Sequence, residues 1–131
     1  MLDHTGIVVT DLAKARTFYD AVAKSLGLGI VSPDERFFLL GRGPGQIPYL
    51  WIGTYRPSYW VEGSRAGLNQ MHIAFTAKDT AMVDEFYRAA MAAGGRDNGK
   101  PGPRGAAQGE KYYGAFVLDP DGNNIEAVAR S

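Results

Sequence analysis

The chain repeats itself, and this constrains its fold more than any other feature. Slid by 68 residues, His4 falls on His72, Asp11 on Asp79, Ala13 on Ala81, Phe18-Tyr19 on Phe86-Tyr87, and Ala21 on Ala89. The apolar class also matches at Ile7/Phe75, Val9/Ala77 and Ala15/Val83. Six identities in register mark a duplicated unit. Each copy holds a short apolar run, an Asp at a turn, an amphipathic stretch and then glycine, at Gly27 and at Gly94-Gly95. The fold must therefore be one small unit built twice.

Within each copy the periodicities assign the elements. "HTGIVVT" alternates, with Thr5, Ile7 and Val9 on one face and His4, Gly6 and Val8 on the other. Asp11 suits an N-cap, because its carboxylate accepts from free N–H groups of the first turn. Leu12, Ala15, Phe18, Val22 and Leu26 then recur at helical spacing, and Gly27 can end the helix. The second copy sets Met71, Ile73 and Phe75 opposite His72, Ala74 and Thr76, and Asp79 or Thr80 caps a second helix. Strand-like pieces follow each helix: "LGIVSP", "RFFLLGR" and "PYLWIGTY", then a short piece near "GGRDNG", "YYGAFVLDP" and "NNIEAVAR". "DPDG" between the last two is a hairpin signal. The class is α+β, with two βαβββ modules: residues 1–56, a linker at 57–68, and residues 69–131.

Composition excludes several functions. The length is that of one domain. There is no cysteine, so no disulfide and no thiolate chemistry, and the formal net charge is zero. Neither a nucleic-acid footprint nor a polybasic membrane patch is expected. No run is long and apolar enough to span a membrane, and no signal peptide is read at the start. A cytoplasmic location is expected.

Both histidines of the chain occupy the same position of both repeats. They share a strand face with the small residues Gly6 and Ala74, which leave room for an imidazole to reach a ligand. The last strand puts Asn124, Glu126 and Val128 on one face and Ile125, Ala127 and Ala129 on the other. His4, His72 and Glu126 form a two-imidazole, one-carboxylate set suited to a divalent metal. The plainer alternatives are hydrogen-bonded structural histidines and a solvent-facing Glu126. "GRGPGQ" lacks the lysine and following helix of a phosphate loop and reads as a hairpin turn. Residues 94–111 are rich in Gly and Pro and read as a long surface loop. Its Arg96, Lys100, Arg104 and Lys111 either guide an anionic substrate or are merely solvated. Tyr55, Tyr59 and Trp60 line a pocket or pack at a dimer interface.

"LDHTGIVVTDLAKARTFY", "MHIAFTAKDTAMVDEFY" and "AFVLDPDGNNIEAV" together resemble the vicinal oxygen chelate superfamily, the glyoxalase, bleomycin-resistance and extradiol-dioxygenase group. The resemblance covers essentially the whole chain, and "VLDPDGNNIE" is its most specific part. It implies a curved, incomplete barrel, a metal held by His4, His72 and Glu126, and a homodimer. It also implies a metal-dependent lyase, isomerase, transferase or dioxygenase that chelates vicinal oxygens of a small substrate and stabilises an oxyanion or enolate. Fe, Mn, Ni, Co and Zn suit these donors alike. The alternative is a metal-free protein that sequesters a ligand. Glyoxalase I-like members carry a further carboxylate ligand at the end of the first module. Its equivalent here is expected near Pro48–Leu50, where no acid stands. Acid–base work then falls to Glu126 with a tyrosine (Tyr49, Tyr112 or Tyr113, with Tyr113 the first choice), Glu110 or a metal-bound water. Tyr49, Arg104, Lys111 and Tyr112 are the expected substrate contacts.

Overall fold

The computed structural model describes residues 1–67, 71–105 and 111–130. Its elements are β1 (His4–Val8), α1 (Leu12–Ser25), β2 (Gly29–Asp34), β3 (Phe37–Gly41), β4 (Tyr49–Gly53), β5 (Ile73–Thr76), α2 (Thr80–Ala92), β6 (Arg96–Pro103), β7 (Tyr113–Leu118) and β8 (Asn124–Ala129). They form two open four-stranded sheets with the same order, β1-β4-β3-β2 and β5-β8-β7-β6. In each, the first strand pairs parallel with the last and the other pairs are antiparallel. The expected duplication is thus two βαβββ units.

The caps explain where the helices begin. Asp11 Oδ1 accepts from the Lys14 N–H at 3.0 Å, and Asp79 Oδ1 from the Met82 N–H at 2.9 Å. Both helices are followed by a glycine at positive φ, Gly27 at 67° and Gly94 at 99°. Among the described residues no helix is long and apolar enough to cross a membrane.

One strand is longer than expected. The short piece read near "GGRDNG" is present but runs on through residues 100–103, which read as loop from their Gly and Pro content, and together they form the edge strand β6 against β7. The pairing is irregular, with register shifts between Asp97 and Gly99 and between Gly99 and Gly102. Prolines are tolerated there because one side of an edge strand needs no ladder donor.

Both sheets turn one face to a single core. Ile7, Phe38, Leu40 and Ile52 from the first sheet join Ala115, Val117, Ile125 and Ala127 from the second, with Phe18, Val22, Val83 and Phe86 of the helices among them. The β7–β8 turn locks the modules together. Asp119 is fully buried and accepts from the Tyr19 hydroxyl of α1 at 2.7 Å. Asp121 Oδ1 accepts from the Thr10 hydroxyl at 2.6 Å, and Asn123 Nδ2 donates to the Val8 carbonyl at 3.4 Å. "DPDGN" is therefore both a hairpin and a brace. Strand alternation leaves His4, Tyr49 and Trp51 on the outer face of the first sheet, and Ala74, Phe116 and Glu126 on that of the second.

Candidate active site

The second sheet's outer face holds a buried carboxylate. Glu126 is 0% exposed, although it lies opposite the core-facing residues of β8. Its cover comes from neighbouring side chains, so the solvent-facing alternative does not hold. His72, immediately before β5, places Nε2 2.8 Å from Glu126 Oε2. The Tyr112 hydroxyl donates to Glu126 Oε1. An ionised carboxylate only accepts, so the bonded His72 nitrogen carries its proton in this arrangement. Both oxygens are thereby satisfied, which is what permits a charged group to be buried.

The strand register explains why these groups meet. Ala74 pairs with Glu126, and Phe116 pairs with Glu126 from the other side. Gly114 lies two residues along the same face. A Cβ there would sit 3.0 Å from Glu126 Oε1 and 3.2 Å from the Tyr112 ring, so only glycine leaves the carboxylate and phenol their places. The His72 and Phe116 rings stand edge-on, with centroids 6.1 Å apart. Arg104 lies 5.2 Å over Phe116, and Arg130 lies 4.7 Å over Tyr112. The hydrogen bond to Glu126, then partial burial and the carboxylate's charge, raise the Tyr112 phenol above its usual range, while Arg130 and Arg104 pull the other way. His72 is the open member, its side chain 65% exposed.

The other expected residues lie elsewhere. Tyr113 faces the core side and donates to Asp84 Oδ1 at 2.7 Å, so it does not join Glu126. Lys111 is exposed, and Glu110 falls outside the described residues. His4 is on the first sheet, where Nδ1 meets Asp3 Oδ1 at 2.7 Å and the ring stacks on Tyr49 at 4.9 Å. The acid-free counterpart of Glu126 can also be placed. Gly6 pairs with Trp51 as Ala74 pairs with Glu126, so the position is Trp51, just beyond the expected Pro48–Leu50. Phe37, Trp51 and Tyr55 cluster there, with centroids 5.7 to 6.4 Å apart. The duplication has diverged into one aromatic face and one acid–base face.

The metal expectation can be tested against this geometry. His72 and Glu126 stand side by side as imidazole and carboxylate donors. Among the described residues, however, no three His, Asp or Glu side chains gather as a metal-holding group. One chain supplies two of the three expected donors together.

Alternation would have separated Tyr112 from Tyr113, since Tyr112 shares parity with Gly114 and Phe116. The Arg130–Tyr112 stacking left no such signal.

Two βαβββ units of the same strand order, the second carrying a hydrogen-bonded carboxylate–imidazole pair, define an α+β class of protein. The profile of the Glyoxalase/Bleomycin resistance protein/Dioxygenase superfamily matches residues 1–127, and the chain belongs to that superfamily. A glyoxalase/bleomycin resistance protein from Albidiferax ferrireducens T118 superposes with a TM-score of 0.81 at 32% identity, covering 99% of both chains. A family enzyme from Burkholderia phytofirmans PsJN gives 0.71 at 18% identity over 98% of both chains, which shows the fold alone. A protein of Arabidopsis thaliana named "Probable lactoylglutathione lyase, chloroplastic" is 29% identical over 97% of this chain. The chain spans 35% of that relative's length, and 43% of a similar lyase-named protein from Brassica oleracea var. gemmifera.

Proposed function

We propose that this chain is a glyoxalase-type enzyme that removes a proton from the carbon beside a carbonyl in a small substrate with neighbouring oxygens. The observation that carries this reading is the fully buried Glu126 held between Tyr112 and His72. Held at both oxygens, the carboxylate has a fixed position and orientation from which to take a proton. Glu126 accepts the proton and Tyr112 holds its other oxygen in place, while His72 stands on the solvent side of the carboxylate as the exposed imidazole donor. Arg104 and Arg130 beside the site favour an anionic substrate. The names of the lactoylglutathione lyase relatives agree with an acyl compound of this kind.

A divalent ion held by His72 and Glu126 would supply Lewis-acid stabilisation to charge developing on substrate oxygens. His4 would complete the three-donor set if a second copy brought its first sheet to this face. The test is calorimetric titration with Ni, Mn, Co, Zn and Fe(II). One ion per chain is expected, lost in His72→Ala and in Glu126→Gln. His4→Ala should weaken uptake as strongly; unchanged uptake would separate His4 from the site.

A second reading has its own support. Because Tyr112 and His72 already satisfy both oxygens of Glu126, the same cluster suits a metal-free protein that sequesters a ligand. Failure to take up any of these ions, together with tight ligand binding and no turnover, would favour it.

A further inference from the structure

A cavity lies between the two sheets, and none of His72, Tyr112 and Glu126 lines it. It is about 240 Å³ in volume and is lined by Leu28, Leu40, Leu50, Ile73 and Phe75. Leu40 and Leu50 are closed into the core, whereas Ile73 and Phe75 stay half-buried although they belong to the core-facing side of β5. They remain so because the cleft opens beside them, between the edge strands β1 and β5. Exposed Leu2 also lines the cleft. Among these apolar surfaces stands one cation, Arg42, with no hydrogen-bond or carboxylate partner among the described residues. Tyr49, expected from sequence to contact substrate, lines this cleft rather than touching Glu126.

We infer that this cleft binds a compact apolar carboxylate, its body against Ile73 and Phe75 and its carboxylate on Arg42. Size sets the class: the cavity falls below the roughly 300 Å³ from which drug-sized sites begin, so the ligand is about as large as benzoate. Charge sets the head group. An unpaired guanidinium beside an apolar wall takes a carboxylate in a two-pronged contact that a neutral or cationic analogue cannot make. The wall sets the body, because polar ligands would lose water there without replacement bonds.

The experiment is an NMR titration of the whole chain with benzoate, benzyl alcohol and benzylamine, following Leu28, Ile73 and Phe75. Benzoate should shift these signals at millimolar concentration, and benzyl alcohol should bind about tenfold more weakly, as expected for loss of a bond to a charged group. Arg42→Ala, an exposed change that leaves the core intact, should weaken benzoate about tenfold and leave benzyl alcohol unchanged. Arg42→Glu should reverse the preference toward benzylamine. Absence of shifts with benzoate, or equal benzoate affinity in Arg42→Ala, overturns the proposal. So do shifts confined to Phe116 and Tyr112, which would place the carboxylate at Arg104 and Arg130. None of these outcomes depends on turnover at Glu126, so the two proposals fail separately.

Discussion

Glu126 is a charge in a place where charge is costly, and its neighbours make it tolerable. Two hydrogen bonds, from a phenol and an imidazole, replace the water that burial removed. Gly114 protects this arrangement by having no side chain. Gly114→Ala should push Glu126 and Tyr112 apart by a few tenths of an ångström and cost about 1–3 kcal/mol, as for overpacking. The fold should survive in circular dichroism while metal uptake and turnover fall together. At this scale the sequence was legible where symmetry helped. The repeat singled out His72 and strand alternation Glu126, and the two side chains do meet. Tyr112 was weighed beside Tyr113 but ranked below it as the catalytic group. Nothing in the sequence showed that Glu126 is covered, because the cover comes from side chains on other strands.

At the level of elements, the β7–β8 turn carries more than its own hairpin. Asp119 sits in the core and binds Tyr19 of the first module, so the turn ties the duplicated halves together. Tyr19→Phe should cost about 1.5–3 kcal/mol, the worth of a hydrogen bond to a charged group, and lower the urea midpoint. It should also change the response to pH. Burial raises the Asp119 pKa above 3.8, and the bonds from Asn123 and Tyr19 oppose that rise. A raised carboxyl contributes stability at low pH that is lost as pH climbs through its folded pKa. Without Tyr19's donor that pKa goes higher, so the loss should extend to higher pH in the variant. Identical midpoint-against-pH profiles for both proteins would refute this role for Asp119. The sequence revealed both helices and the caps, whose spacing is strict. It cut β6 short, since Gly and Pro oppose a central strand but not an irregular edge. The counterpart of Glu126 was placed just before Trp51, because the length of the preceding turn sets the register and composition does not reveal it.

On the scale of the molecule, one core serves both modules and two outer faces are left for function. The first-sheet face and its linker present Tyr55, Tyr59 and Val61, exposed at 37%, 78% and 71%. Such surface invites a partner. Sedimentation at tens of micromolar, the order of magnitude for a weak interface, should show a dimer, and Val61→Asp should shift it toward monomer. A wild-type monomer under those conditions would remove the argument for a site shared between copies. The duplication was legible along the whole chain. The separation of its two histidine-bearing faces was not, since a repeat fixes what each half is but not how the halves face each other. The account stands most directly on Glu126 as the base, and hydrogen–deuterium exchange tests it. Under the proposed reading, an α-hydroxy thioester of the kind the relatives are named for should, in heavy water with the metal-supplied wild-type protein, gain deuterium at the carbon beside its carbonyl. Glu126→Gln, checked by its melting curve to be folded, should slow this by at least about a hundredfold, the usual contribution of a general base. Exchange at the wild-type rate in Glu126→Gln would contradict the assignment.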